Sequence, residues 1–232
     1  MRETQVQISV IVPVFNAGQH IEYFYTRLTE ALMKTNSNFE IIFVNDRSSD
    51  DTLEKLTGMS QRDRRLRLIN LPGNLGQYRA INKGIAQGRG EILIIMDDDQ
   101  EYALEYTPLF LEKIASGDDL VLGWRIARDI SLYRRLGSQL TNLLISALIG
   151  KRIHDLGGIK IFGNRGTSVL RSCGSLLGVV KSYRQLRISQ IRMHDTSCRV
   201  SRYNFKKLFL LFMQVIHAQL GRPKFDFKGE DN

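Results

Sequence analysis

Between residues 8 and 124 the chain alternates apolar runs of strand length with segments of helical periodicity, separated by polar turns. That alternation is the strongest constraint on the fold, because strands reached one after another through helices run parallel and form an α/β sheet covered by those helices. Strands are expected at Ile8 to Phe15, Phe39 to Val44, Leu66 to Leu71, Ile92 to Met96 and Leu120 to Trp124. After the turn Asn16-Ala17-Gly18, the residues Ile21, Phe24, Tyr25, Leu28 and Leu32 repeat at helical spacing. Ser48-Ser49-Asp50-Asp51-Thr52 offers an N-cap and first-turn acids to a helix carrying Leu53 and Leu56. A third helix, from about Gly76 to Gln87, has Ala80, Gly84 and Gly88 at intervals of four, a face of small residues that lets the backbone lie close against the sheet. A fourth runs through Leu109, Phe110 and Ile114.

The expected strand ends deliver polar residues: Asn16, Asp46 and the triplet Asp97, Asp98, Asp99. Ligands of open α/β sheets bind at the carboxyl ends of the strands, so these loops are expected to share one site. In EILIIMDDDQE (91–101) the alternation of an extended strand would point Asp97 and Asp99 to the same side. Two convergent carboxylates suit magnesium or manganese and, through the metal, a diphosphate. Taken alone, the triplet also reads as a solvated acidic turn after a buried strand.

Charge divides the chain. Residues 1–120 hold 13 Lys and Arg against 18 Asp and Glu, and residues 121–232 hold 20 against 6, so the formal +9 splits into −5 and +14. An acidic half beside a basic one suits reacting partners that both carry phosphate, or an anionic membrane surface. Nucleic acid is not expected, since no zinc-finger spacing, helix-turn-helix signal or aromatic RNP motif accompanies the basic residues. Cys173 and Cys198 are too few for a disulfide framework, which fits a reducing cytosol. The apolar run near the start is short and broken by Pro13, so it reads as a strand and not a signal peptide. No stretch approaches the roughly 18 apolar residues of a membrane span, so the chain is expected not to cross a bilayer by itself.

The second half is less regular. Leu132, Leu136, Leu140, Leu143, Leu144, Ala147 and Leu148 fit one helix face, and strands are expected at Ile159 to Phe162 and Ile188 to Met193. Phe205, Leu208, Phe209, Phe212, Val215 and Ile216 form a broad apolar stripe behind Lys206 and Lys207, a helix that either lies in a membrane interface or packs on the domain. The organisation expected is a nucleotide-binding half at 1–124, an acceptor-binding half of the same domain at 125–203, an amphipathic helix at 204–220 and a flexible tail at 221–232.

The chain resembles the family 2 glycosyltransferases of GT-A fold, and among them the polyprenyl-phosphate and dolichol-phosphate sugar transferases. The resemblance rests on VIVPVFN (10–16), VNDRSSDDT (44–52), NLGQYRAINKGIAQGRGE (74–91), MDDDQE (96–101), GWRIAR (123–128), DLGGIKIF (155–162) and SRYNFKKL (201–208), which keep the family's order along nearly the whole chain. It implies a Rossmann-like, mainly parallel sheet flanked by helices, and a magnesium- or manganese-dependent enzyme. It implies that Pro13, Phe15, Asp46, Asp97 and Asp98 hold the nucleotide of a sugar donor, that Asp99 and Glu101 hold the metal, and that Asp97, Asp99 and Arg202 serve catalysis. It also implies that Arg125, Arg128, Lys160, Ser201 and Arg202 bind the acceptor and the diphosphate. The chain departs from the family at Glu101, where Gln is commoner, at Ala17 for an acid, at Arg47 for Gly, and at Gln100 for an apolar residue. Tyr78 and Arg79 receive no role.

A phosphate monoester is largely ionised near neutral pH and needs no general base, whereas a hydroxyl acceptor does. Between Gly123 and Arg222 the only acids are Asp129, Asp155 and Asp195, which favours a phosphate acceptor. The expected reaction is inverting transfer from a nucleoside-diphosphate sugar to a polyprenyl phosphate, by a protein peripheral to the cytosolic membrane face or docked on a membrane-embedded partner. A hydroxyl acceptor and a non-catalytic nucleotide-sugar-binding subunit are the alternatives.

Overall fold

A computed structural model describes residues 5–126, 146, 150–155 and 158–194. The first half follows the alternation: β1 (Ile8–Val14), α1 (Ile21–Met33), β2 (Phe39–Asn45), α2 (Thr52–Arg62), β3 (Leu66–Asn70), α3 (Gln77–Gln87) and β4 (Ile92–Ile95). A 3-10 helix (Glu101–Tyr106), α4 (Thr107–Ala115) and β5 (Leu120–Ile126) come next. Then follow β6 (Lys160–Phe162), α5 (Asn164–Cys173), a second 3-10 helix (Gly178–Gln185) and β7 (Ile188–His194). The stripe from Leu132 to Leu148, Cys198, the helix at 204–220 and the tail lie outside the described residues.

Seven strands form one sheet in the order β3-β2-β1-β4-β6-β5-β7. All neighbours are parallel except β6, which is antiparallel to both β4 and β5. Every residue of β1 and β2 is buried, as expected of central parallel strands covered on both faces. One face carries α1, α2 and α4, through Phe24, Leu28, Leu56 and Phe110; the other carries α3, α5 and the second 3-10 helix, through Ile81, Ile85, Leu170 and Tyr183. The chain leaves β1 for β2 and β3 on one side, then returns to β4 on the other. The crevice between the carboxyl ends of β1 and β4 is therefore the topological switch point, where such sheets take their ligands.

Pro13 fits a central strand because of this crevice. The last β1–β4 pair is Ile11 with Ile95, so at Pro13 there is no β4 residue to claim the N–H that proline lacks. The small face of α3 does what its spacing predicts. A Cβ at Gly84 would stand 2.4 Å from Ile11 Cγ2 and 3.2 Å from Val44 Cγ2, so the helix backbone rests on the sheet. Capping of α2 differs from expectation. Asp51 holds the cap position without a cap bond and pairs with Lys55, while Asp50 Oδ1 accepts from the Thr52 N–H at 3.1 Å.

Candidate active site

Two polar loops leave the carboxyl ends of β1 and β2 and are tied together. The Asn16 N–H donates to Ser48 Oγ at 2.9 Å, Ser49 N–H to Asn16 Oδ1 at 2.8 Å and Ala17 N–H to Thr52 Oγ1 at 2.8 Å. Asn16 and Arg47 both take positive φ, 52° and 58°. Arg47 reaches from that conformation to the Pro72 carbonyl. Asp46 is buried, and its two carboxylate oxygens accept from the Leu75 N–H at 2.7 Å and the Gly76 N–H at 2.8 Å. It therefore fixes the loop that opens α3. Phe15, at the same end of β1, is 44% exposed.

The acidic triplet lies beyond β4, not on it. The strand ends at Ile95, so Asp97 and Asp99 are set by a turn in which Gln100 N–H donates to the Asp97 carbonyl at 3.2 Å. The strand alternation expected from the sequence is not what places them. Gln77, the first residue of α3, donates to Asp97 Oδ1 at 2.6 Å, and Gln100 Nε2 donates to Asp97 Oδ2 at 3.2 Å. Burial and then the Asp99 carboxylate push Asp97 up to about 7, against the pull of Lys160 and the Gln77 bond. Asp98 turns the other way, with Oδ2 3.0 Å from His20 Nε2 just before α1. Glu101 opens the first 3-10 helix, its Oε1 shielded from solvent.

Strand β6 brings the basic half to this turn. Lys160 sits opposite Ile95 on one side and Leu122 on the other, and donates to the Gly158 carbonyl at 2.9 Å. Burial lowers its ammonium below the usual range, while Asp97 and Asp155 draw it back up. The Arg125 N–H reaches Asp155 Oδ2 at 3.3 Å. The structure thus gathers Pro13, Phe15, Asp46, Asp97, Asp98, Asp99, Glu101, Arg125 and Lys160 at one end of the sheet. Arg128, Ser201 and Arg202 lie outside the described residues.

Sequence reasoning missed Gln77 and His20. Gln77 had a signal, standing between Gly76 and the unassigned Tyr78 at a helix start. His20 had none, because its partner is 78 residues away. A divalent cation fits the donor set. Among the described residues no group of three or more His, Cys, Asp or Glu side chains converges, so the chain offers no all-protein cage. Magnesium-type sites commonly use one or two carboxylates and take their other oxygens from phosphate and water. Both Asp97 oxygens are held by amides, and Asp99 and Glu101 are the further carboxylates of this turn and the helix it opens.

The family model for glycosyl transferase family 2 matches residues 9–177. The undecaprenyl-phosphate 4-deoxy-4-formamido-L-arabinose transferase of Pseudomonas aeruginosa (strain LESB58) is 34% identical over 151 residues, 65% of this chain and 44% of that protein. The protein of the same description from Yersinia pestis bv. Antiqua (strain Angola) is 27% identical over 230 residues, 96% of this chain and 70% of its own. This chain therefore spans less than half the length of the Pseudomonas relative. Among solved structures, glucosyl-3-phosphoglycerate synthase from Mycobacterium tuberculosis, in complex with Mn2+, UDP-glucose and phosphoglyceric acid, superposes with a TM-score of 0.69 at 18% identity, over 94% of this chain and 81% of that one. S. aureus TarS in complex with UDP-GlcNAc gives 0.54 at 20% identity, over 91% and 67%. These likenesses establish the GT-A fold, and with the match over most of its length the chain belongs to glycosyl transferase family 2.

Proposed function

We propose that this chain is a metal-dependent, inverting glycosyltransferase that moves a sugar from a nucleoside-diphosphate donor to a polyprenyl phosphate at the cytosolic membrane face. The observation that carries the reading is the meeting of the acid turn with Lys160 at the switch point. It brings the Asp97 carboxylate within electrostatic reach of Lys160, a basic residue of the second half. The undecaprenyl-phosphate transferases among the relatives supply the acceptor class, and the Mn2+ and UDP complexes of the structural neighbours support a divalent cation and a nucleotide donor.

Pro13, Phe15 and Asp46 border the base and ribose, with Asp46 and the Leu75–Gly76 amides already locked together. Asp97 and Asp98 face the rest of the nucleotide. Asp99 and Glu101 would hold the cation, magnesium or manganese, which when bound neutralises charge developing on the departing diphosphate. Lys160 offers positive charge beside the reacting centre, and Arg125 with Arg128, Ser201 and Arg202 would hold the incoming phosphate, whose anionic oxygen attacks without losing a proton. One observation favours a second reading: Asp155, close to Lys160, is a candidate base for a hydroxyl acceptor. No helix among the described residues is long and apolar enough to cross a membrane, so membrane association is assigned to surface charge, the 204–220 segment or a partner.

The test is incubation with undecaprenyl phosphate in detergent, magnesium or manganese, and labelled UDP-, GDP- and dTDP-sugars. Metal-dependent, mild-acid-labile label in the lipid phase from one donor is expected, and Asp99→Asn should lose nearly all of it. Nucleotide binding without lipid label from any donor would sink the phosphate-acceptor reading. Loss of turnover in Asp155→Asn on a hydroxyl acceptor would then support the second.

A further inference from the structure

The strand register extends the site across the sheet. Ile95 pairs with Lys160, Lys160 with Leu122, and Leu122 with Gln190. Two residues further along β5 and β7, Trp124 pairs with Arg192. Residues two apart on a strand share a face, so Trp124 and Arg192 stand on the side of Lys160. Gln77 ties Asp97 to that side too, because α3 covers this face. Gly158 is packed against the neighbouring strand: Gly123 O lies 2.4 Å from where a Cβ would stand, so only glycine fits there.

The pair of Trp124 and Arg192 is part of a built wall. His154 stacks on Trp124 with centroids 4.1 Å apart and 18° between planes, and the Arg192 guanidinium lies 5.3 Å from the Trp124 centroid. His154 is pinned in turn, its N–H donating to Gln190 Oε1 at 2.8 Å, while Gln190 Nε2 donates to the Arg152 carbonyl at 2.7 Å. Stacking occupies the guanidinium's face and leaves its N–H edge for a bidentate anion. Arg165 and Arg187 are taken up by Asp119 and Asp118, whereas no carboxylate among the described residues pairs with the exposed Arg192. Arg125, paired with Met193 next to Arg192, and Arg152, whose carbonyl is held by Gln190 two residues before Arg192, add basic groups nearby, which favours an anion.

Resting on the transfer reading above, we propose that Trp124, His154 and Arg192 form the far wall of the acceptor site. Arg192, held on the Trp124 ring, grips the phosphate of a lipid phosphomonoester on the face of the sheet that carries Lys160. None of the three belongs to the residues that the family resemblance assigned to the acceptor.

Trp124 is the only tryptophan in the chain, so its emission reports on this wall. The full chain would be titrated in detergent with farnesyl phosphate, with farnesol, and with UDP plus manganese. Farnesyl phosphate should change the emission saturably and farnesol should not. Arg192→Gln should weaken the response at least tenfold, and Arg192→Lys should recover only part, keeping the charge without the planar fork. In turnover, Arg192→Gln should raise the acceptor KM tenfold or more and leave the donor KM within twofold. Equal responses to farnesol and farnesyl phosphate, or an Arg192→Gln protein that binds like the wild type, would overturn the proposal. A UDP response abolished by Arg192→Gln would overturn it too, by giving the wall to the donor. Binding of farnesyl phosphate through Arg192 in a protein that transfers no sugar to polyprenyl phosphate would sink the transfer reading and leave the phosphate wall standing.

Discussion

Asp46 shows how one side chain serves structure and ligand together. Its oxygens hold the Leu75 and Gly76 amides, Gly76 is followed by Gln77, and Gln77 holds Asp97. The residue proposed to border the base is thus connected through three covalently linked or hydrogen-bonded steps to the acid turn. Asp46→Asn keeps one acceptor oxygen and turns an NH2 group toward a backbone N–H, leaving a buried donor unmet. The expected cost is about 1–3 kcal/mol, read as a lower unfolding midpoint, together with weaker UDP binding; an unchanged midpoint would refute the loop-holding role. The departures from the family pattern also have structural partners. Ala17 is fully buried with its N–H on Thr52, Gln100 is buried against Asp97, and Arg47 spans from β2 to Pro72. Such engagement is not the mark of a decaying site, which weakens the non-catalytic alternative.

At the scale of elements, α3 is the most constrained piece. Gly84 lies against Ile11, whose branched side chain on the central strand has little freedom to move. Gly84→Val should therefore cost about 3 kcal/mol, the upper part of the range for overpacked cores, and displace Gln77 from Asp97, so that turnover falls with stability. Gly58→Ala on α2 is the control: a Cβ there meets nothing within 4 Å, and the helix should gain up to about 1 kcal/mol. Equal unfolding midpoints for the two variants would contradict this packing. The spacing of Ala80, Gly84 and Gly88 made the close approach legible in advance, as alternation did for β1 to β5, because both are local periodicities written along a single element. The place of the candidate site was legible from the polar residues at the strand ends, and the roles of its residues only through motif order. What escaped was non-local or irregular: the insertion of β6 antiparallel between β4 and β5, the two 3-10 helices, the Asp98 contact with His20, and the turn that carries the acids past the end of β4. A period of two or 3.6 says nothing about which strand will lie beside which, nor where a strand gives way to a turn.

Across the whole molecule, the acidic first half binds its carboxylates into the frame at the end of the sheet opposite the site. Glu40 on β2 joins four segments: Ser9 of β1 donates to it at 2.6 Å, Arg67 of β3 at 2.9 Å, and Arg89, in the link from α3 to β4, through its N–H at 2.7 Å. Burial alone would raise this carboxyl, but the bonds from Ser9, Arg89 and Arg67 outweigh it and hold Glu40 below its ordinary range. Asp63 is likewise held low, chiefly by the Arg65 guanidinium and then, against the effect of burial, by the Tyr25 hydroxyl. Because both titrate lower in the folded state than in the unfolded chain, where such groups titrate near roughly 4, the unfolded chain takes up protons first on acidification. Their stabilisation is complete above that value and drains away as pH falls through the folded range. Urea unfolding at pH 7, 5, 4 and 3 should show stability rising at first, as Asp97, raised to about 7, takes up its proton in the folded chain, and then declining steeply below about pH 4 as protonation removes the charges of Glu40 and Asp63. Glu40→Gln should be less stable at pH 7, having lost its charge-assisted bonds in a buried setting, and should decline less steeply below pH 4. Asp63→Asn should change the curve little, since Arg65 is 40% exposed and solvent screens the pair. If Glu40→Gln instead declined in parallel with the wild type, the acid sensitivity would reside outside this network, and the joint between β1, β2, β3 and the α3–β4 link would rest on packing alone.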